Sequence, residues 1–297
     1  MKPYFFVVEC PHCQNSIDSI STRCPHCGKN IDPQPENEGR GRDFLRFENQ
    51  VQIEWKRQLG LALAGSIGLL LISLVIQFIF VGAGYASGTL TKDNLEEWAS
   101  TYNVDFWVNL ISYVSLAGAL GLILWKGGWK EIFRSFKVPK AYLWAFAVFG
   151  GIYVASVVWA WIKQGIITAA GITGDMNQNE TSVQSMIKAA PVVSFFLFGV
   201  IAPFCEEVCY RVGLYSLVSR VQRWLAIVTT TLVFGFIHFR TSTNPNALLL
   251  EFLNLPSYLI AGLGFAIAYE KGGFAASFTI HSLSNLMNVI DAVVNMK

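Results

Sequence analysis

The chain has 297 residues, of which 53% are hydrophobic and 14% charged, whereas soluble globular proteins carry about a quarter charged residues. Its formal net charge of +2 is too small to indicate nucleic-acid binding, and no long Lys/Arg tract is present. The composition excludes an ordinary soluble domain and predicts an all-α, polytopic membrane protein with the lipid bilayer as its solvent.

The first 32 residues contain two copies of the sequence CPHC, which supply Cys10, Cys13, Cys24 and Cys27. Four thiolates at about 2.3 Å form a closed tetrahedral Zn²⁺ site, which can replace the hydrophobic core that such a short segment lacks. We predict a structural zinc ribbon over residues 1–32, with His12 and His26 as bystanders. Two disulfides are the alternative, which a reducing cytoplasm disfavours.

Residues 33–58 are predicted to be a linker followed by an interfacial helix. The polar stretch Ile31–Asp43 is rich in Pro, Gly and charge and cannot bury enough apolar surface to fold alone. Phe44–Gln58 mixes aromatic and charged residues and should lie as a helix at the membrane surface. The apolar run at the start of the chain is too short for a secretory signal, which predicts a cytoplasmic N-terminus.

Residues 59–297 form the predicted transmembrane domain, because apolar segments of about 20 residues can cross the hydrocarbon layer as helices. Glu251 and Pro256 leave the start of the sixth segment open, and with it a count of six to eight spans. The seven predicted spans are Leu59–Gly82, Phe106–Trp125, Ala141–Ile162, Val192–Val218, Trp224–Phe239, Leu255–Tyr269 and Phe274–Val294, with a tight turn at Glu270–Gly273.

The loops orient these spans. The loop after the first span is mainly acidic, whereas the loop after the second carries Lys126, Lys130, Arg134, Lys137 and Lys140. Loops rich in Lys and Arg stay in the cytoplasm, so the second loop is predicted to be cytoplasmic. Its sequence WKEIFRSFKVP indicates a short interfacial helix that stops at Pro139.

Ionisable residues in the later spans point to the functional site, because such groups are costly in hydrocarbon and usually serve catalysis, transport or ion pairing. Glu207 and Arg211 are four residues apart and share a helix face, so the arginine can neutralise that carboxylate. Glu206 points about 100° away and is left as the freer carboxylate, able to act as a general base on water. A buried Glu–Arg pair that only fixes helix packing is the plain alternative.

Two histidines extend this set. His238 and His281 are the only histidines outside the ribbon, and both lie in apolar segments. His281 and Asn285 are one helical turn apart, so their side chains can converge on a developing negative charge. Together with Glu206 they supply what peptide hydrolysis requires: a base, a proton relay and oxyanion donors.

At these residues the chain resembles the CPBP family of intramembrane endopeptidases, also called the type II CAAX prenyl protease or ABI family. The matching motifs are EExxxR (Glu206, Glu207, Arg211), FxxxH (Phe234, His238) and HxxxN (His281, Asn285). The resemblance implies a helical intramembrane protease in which Glu206 and His238 activate water, His281 and Asn285 stabilise the oxyanion, and Glu207 with Arg211 orients the site. It also implies a membrane-anchored protein or peptide as substrate and a bacterial cell membrane as location.

Three alternatives remain open from the sequence. The same Glu and His residues can hold a catalytic zinc ion, although the chain has no HExxH motif. The chain can also be a non-catalytic scaffold or immunity-type protein that recruits a cytoplasmic partner through its ribbon. A transporter is the third, because intramembrane Glu, Arg and His can relay protons.

Overall fold

The computed structural model describes residues 7–10, 12–18, 23–30, 51, 53–125, 127–172, 174 and 176–295. The chain divides into two compact units, Met1–Arg46 and Phe47–Lys297. The predicted linker Ile31–Asp43 and most of the predicted surface helix Phe44–Gln58 lie outside the described residues. The predicted domain boundaries therefore stay predictions.

The N-terminal unit contains a short antiparallel hairpin of β1 (Val7–Glu9) and β2 (Ser16–Asp18), with Val8 opposite Ile17. A further antiparallel bridge joins Arg23 to Asn30. Each pair of strand-like segments brackets one CPHC sequence. The hairpin adds a small β element to a chain that is otherwise helical in its described part.

The second unit is a helix bundle whose described helices begin and end as follows. They are α1 (Trp55–Ala86), α2 (Leu95–Thr101), α3 (Val104–Leu124), α4 (Gly128–Ser135), α5 (Pro139–Ala170), α6 (Gln178–Ala189), α7 (Pro191–Val218), α8 (Arg223–Ile237) and α9 (Pro245–Val294). Among the described residues, α1, α3, α5, α7 and α9 are long and apolar enough to cross a membrane, and α8 is a shorter apolar helix. The prediction of an all-α, membrane-spanning bundle is confirmed.

The long helix α9 is broken at Gly273, where φ is 75° and ψ is −167°. Only glycine adopts this backbone region without strain. The rings of Phe265 and His281 lie 4.3 Å apart, although 16 residues of straight helix would separate them by about 24 Å. The chain therefore reverses at Gly273, and α9 supplies the predicted sixth and seventh spans as two antiparallel arms, residues 245–272 and 274–294.

The sixth predicted span, whose start the sequence left open near Leu255, belongs to a helix that begins ten residues earlier at Pro245. Glu251, which follows the start of α9, is fully buried. Its carboxylate accepts hydrogen bonds from the backbone N–H groups of Gln178 (2.9 Å) and Arg240 (3.1 Å), so it is satisfied inside the bundle. The short helix predicted in the second loop is present as α4, and Pro139 begins α5.

Helix α7 lies at the centre of the bundle, with 61% of its most apolar stretch buried against 6% for α5. Small residues permit this packing, as in other membrane helix pairs. A Cβ atom on Gly65 of α1 would lie 2.3 Å from the Cβ of Cys209, and one on Gly199 would lie 2.2 Å from Leu286 Cδ2. The residues of α7 are thereby held tightly between α1 and the second arm of α9.

Candidate active site

The two carboxylates lie in a short α-helical section of α7, Ala202–Glu207, between two π-helical sections, Leu197–Ile201 and Val208–Tyr215. π-helical turns are rare inside α-helices, and those that occur are often found at functional sites. Glu207 and Arg211 are fully buried, whereas Glu206 remains 8% exposed. The structure therefore gives the two neighbouring glutamates different surroundings.

Glu207 is held mainly by a guanidinium and an imidazole, with the Ser277 side chain as a further hydrogen-bond partner. Arg211 Nε donates to its Oε2 at 3.1 Å, and His281 Nδ1 lies 2.9 Å from its Oε1. Arg211 also donates to the carbonyl of Gly262 at 3.4 Å. The guanidinium and the imidazole together neutralise and fix the carboxylate, as the EExxxR spacing predicts for the arginine.

Glu206 faces the other side of the same imidazole. Its Oε2 lies 3.7 Å from His281 Nε2, and its Oε1 accepts a 2.5 Å hydrogen bond from the hydroxyl of Tyr113 on α3. Because His281 lies between the two carboxylates and Arg211 pairs with Glu207, four of the predicted site residues form one contact group. Tyr113, which lies beside Ser112 in the predicted span Phe106–Trp125, was missed from the sequence.

His238 lies at the end of α8 and joins this group through aromatic rings. Its ring is 4.8 Å from that of Phe234, which is in turn 5.4 Å from the ring of His281. The His238 ring also stacks on the ring of Tyr258, with the centroids 4.5 Å apart. Nδ1 lies 2.7 Å from the carbonyl oxygen of Phe234, which can only accept, so Nδ1 carries the hydrogen and Nε2 is the remaining acceptor of the neutral ring.

Asn285 lies one turn after His281 and is partly buried. Its amide nitrogen donates to the carbonyl of Phe198 at 2.9 Å, and Ser282 Oγ donates to the carbonyl of Gly199 at 2.5 Å. Both carbonyls belong to the π-helical section Leu197–Ile201, whose wider turn exposes backbone acceptors. The amide orientation is therefore fixed, and its second N–H can serve another acceptor.

The four cysteines of the N-terminal unit form a second candidate site. Their sulfur atoms all lie within 4.8 Å of one another, with Cys10–Cys27 at 3.9 Å and Cys13–Cys24 at 3.6 Å. A tetrahedral Zn²⁺ with 2.3 Å bonds places its sulfurs about 3.8 Å apart, so the set can hold a metal ion of this size. Within the described ranges this is the only such group of three or more Cys, His, Asp or Glu residues, and all its thiols are unpaired by disulfides.

The two halves of the cysteine site have the same backbone pattern. The N–H of Gln14 bonds to the carbonyl of Cys10 and that of Gly28 to Cys24, both at 2.9 Å, and both donor residues have positive φ. Burial raises the pKa of the Cys24 thiol, but hydrogen bonds from the backbone N–H groups of Cys27 and His26 outweigh it and bring the pKa to about 6. A thiolate, the form that binds metal, is thereby favoured at this position.

Comparison with known proteins supports the resemblance that the motifs predict. Residues 188–287 match the family model described as type II CAAX prenyl endopeptidase, Rce1-like. The matched segment contains all six predicted catalytic-site residues, but neither Tyr113 nor the cysteine site.

Two bacterial relatives extend the similarity. An uncharacterized protein of Mycoplasma capricolum is 24% identical over 253 residues, which cover 82% of this chain and 69% of the relative. The UPF0177 protein YvdC of Lactococcus lactis is 28% identical over 117 residues, or 39% of this chain and 41% of the relative. No solved structure matches the chain. The family match and the apolar helices support, in general terms, a CAAX-type protease in a membrane.

Proposed function

We propose that the chain is an intramembrane endopeptidase that hydrolyses peptide bonds of membrane-associated proteins or peptides by a metal-free, glutamate-based mechanism. The observation that carries the proposal is the position of His281, with one ring nitrogen 2.9 Å from Glu207 and the other 3.7 Å from Glu206. A group made only for packing would need Glu207 and Arg211 alone. The second carboxylate, which is 8% exposed, and the Tyr113 hydroxyl are polar groups that packing alone does not require.

In the proposed mechanism Glu206 takes a proton from water, and the resulting hydroxide attacks the carbonyl carbon of the scissile peptide bond. His238 assists as an acceptor through Nε2, because its Nδ1 hydrogen is committed to the carbonyl of Phe234. The proton held by Glu206 then passes to the departing amine. Each of these groups comes from a rigid helix of the bundle.

The oxyanion of the tetrahedral intermediate is assigned to His281 and Asn285. In the imidazolium form both nitrogens of His281 donate, one to Glu207 and the other toward the reaction space beside Glu206. The second N–H of the Asn285 amide is the other donor. Removing one oxyanion donor typically lowers kcat by about 10² to 10³.

We further propose that the ion at the four cysteines is Zn²⁺ and that it is structural, because four thiolates fill the tetrahedron. The ribbon can then serve as a docking module for a cytoplasmic protein. The bacterial sources of the two relatives favour a bacterial cell membrane as location.

Removal of the ribbon metal tests the metal-free mechanism. The full chain with Cys10→Ser, Cys13→Ser, Cys24→Ser and Cys27→Ser is expected to lose about one zinc ion and to keep cleaving, because the cysteines belong to a separate unit. Metal content by elemental mass spectrometry and cleavage of a fluorescent peptide substrate are measured on the same purified sample. One zinc ion retained by this variant would support the metalloprotease alternative instead.

Tyr113 is expected to act as a positioning residue. Tyr113→Phe removes the hydroxyl that donates to Glu206 at 2.5 Å and should lower kcat by about 10-fold with KM unchanged, because hydrogen bonds to charged groups contribute about 1.5–3 kcal/mol. Tyr210→Phe is the matched control, since its buried hydroxyl donates to the carbonyl of Gly65 instead. Equal losses of kcat in both variants would indicate a general packing effect.

A further inference from the structure

His238 lies at the C-terminal end of α8, and the chain leaves the helix directly after it. The N–H groups of His238 and Phe239 close the final turn on the carbonyls of Gly235 (3.3 Å) and Phe236 (3.2 Å). Residues 239–244 then run as irregular backbone to α9. Helix ends fray more readily than helix interiors. The orientation of the His238 ring therefore depends on contacts from other elements of the bundle.

Glu251 fixes the backbone just beyond His238. Its fully buried carboxylate accepts from the N–H of Arg240 at 3.1 Å, and this N–H is the first backbone donor after the closing turn of α8. The other carboxylate oxygen accepts from the N–H of Gln178 at 2.9 Å, at the first residue of α6. The Glu251 side chain therefore connects the chain where it leaves α8 to the start of α6.

The negative charge of Glu251 suits this position. A charged group inside a membrane-spanning bundle is costly, and such residues are usually retained for a function. Helix α6 has 12 residues, so its aligned peptide dipoles place a partial positive charge at Gln178, where the carboxylate binds. Glutamine has a single acceptor oxygen, whereas Glu251 uses both of its oxygens. The contact therefore requires the carboxylate itself.

Tyr258 fixes the plane of the His238 ring. The two rings stack with their centroids 4.5 Å apart and an interplanar angle of 11°. The Tyr258 hydroxyl accepts from Asn179 Nδ2 at 3.2 Å and donates to Asn177 Oδ1 at 3.4 Å, so the tyrosine ring is itself held at its far end. Asn177 is buried, and the same oxygen caps the N-terminus of α6. Tyr258 and Glu251 therefore contact the same helix start.

The two residues lie on one face of α9. Glu251 and Tyr258 are seven residues apart, which is just under two helical turns, so both side chains leave the helix on the same side. A third contact comes from α8 itself, since Nδ1 of His238 lies 2.7 Å from the carbonyl oxygen of Phe234. Backbone, ring plane and Nδ1 hydrogen are thus each fixed by a different partner. Together they determine where Nε2 points.

We infer that Glu251 and Tyr258 are positioning residues for His238. Glu251 acts through the backbone that follows the histidine, and Tyr258 acts through its stacked ring. The start of α6, at residues 177–179, anchors both of them. They keep Nε2 in the orientation in which His238 accepts a hydrogen in the reaction. The kinetic part of this inference rests on the proposed function, whereas the orientation of the ring does not.

Glu251→Gln and Tyr258→Leu test the kinetic part in the full chain. Each is expected to lower kcat by about 10- to 100-fold with KM unchanged, because misplacing a catalytic group by about 1 Å can cost 10²-fold in rate. Tyr258→Phe keeps the stacked ring and should retain most of the rate. Glu270→Gln is the matched control for Glu251, since Glu270 is buried on the same helix but pairs with Arg223 at the opposite end of α8.

The same substitutions in a His238→Ala background separate positioning from packing. If both residues act through His238, adding Glu251→Gln or Tyr258→Leu to His238→Ala should not lower the remaining kcat further. A further loss as large as the loss in the parent chain would overturn the inference, because the two residues would then act on another part of the site.

Nuclear magnetic resonance of isotope-labelled histidine measures the ring orientation without any cleavage. The His238 ring signals are assigned by their loss in His238→Ala. Because a stacked aromatic ring shifts the signals of its neighbour upfield, Tyr258→Leu should move the His238 signals downfield, and Tyr258→Phe should keep them near the parent position. Glu251→Gln should shift or broaden them, whereas Glu270→Gln should leave them unchanged.

The two measurements distinguish the inference from the proposed function. His238 signals that stay at the parent position in both Glu251→Gln and Tyr258→Leu would overturn the inference, whatever the chain catalyses. Displaced signals in a chain that shows no Glu206-dependent cleavage would support the positioning of His238 and overturn the proposed function alone.

Discussion

Glu206→Gln is expected to lower the rate of peptide cleavage by about 10² to 10⁴, the contribution of a positioned general base. Glutamine keeps the shape of the side chain, and its carbonyl can still accept the hydrogen bond from Tyr113. It cannot take a proton from water. The fold should therefore be retained while the chemical step is lost.

The measurement is the initial rate of cleavage by purified protein, together with its thermal midpoint in detergent. Glu97→Gln, an exposed carboxylate on α2, is the matched control and should keep both values. Cleavage by Glu206→Gln at the parent rate would remove the general base from the mechanism and with it the enzyme assignment.

Arg211→Met is expected to have the largest effect on stability. It removes the guanidinium that pairs with the fully buried Glu207 carboxylate and leaves His281 and the Ser277 side chain as described partners. Breaking a buried ion pair by removing one member costs about 3–5 kcal/mol in the free energy of unfolding. For a chain of this size that corresponds to roughly 10 °C in the thermal midpoint.

A double variant separates this charge effect from lost packing. Glu207→Gln combined with Arg211→Met removes both charges, so it should recover part of the lost midpoint, because neutral replacements of a buried pair are often tolerated. Both variants should lose cleavage, since His281 loses its fixed partner in the double variant. The two side chains do not interact if the double variant is less stable than Arg211→Met by as much as Glu207→Gln alone destabilises the parent chain.

The position of the candidate site along the chain was predictable, whereas its contacts were not. Glu206, Glu207, Arg211, His238 and His281 are conspicuous because ionisable groups are rare in apolar spans. The Glu207–Arg211 pair follows from helical spacing within one segment. In contrast, the hydrogen bond of Tyr113 to Glu206 joins residues 93 positions apart and depends on how α3 packs on α7.

The fold was likewise predictable in its helical segments but not in the contacts between them. Hydropathy located the apolar helices, although the predicted fifth span is the 15-residue helix α8, which is shorter than a membrane-spanning helix. The two adjacent glycines after Glu270 indicated the reversal at Gly273. The start of α9 stayed open because Glu251 and Pro256 are boundary signals when considered alone. The backbone N–H groups of Gln178 and Arg240 that satisfy Glu251 come from other segments, and no local pattern indicates them.

The π-helical sections of α7 have a consequence for how this helix is built. Each wide turn accommodates an additional residue, so the rotational phase of the helix changes across Leu197–Ile201 and again across Val208–Tyr215. The stretch between them can orient its carboxylates by its own contacts, while the flanking stretches present their apolar faces to different neighbours. One continuous helix can thereby orient the carboxylates and also present its apolar faces to different neighbours. With a uniform repeat of 3.6 residues per turn, these two requirements would conflict.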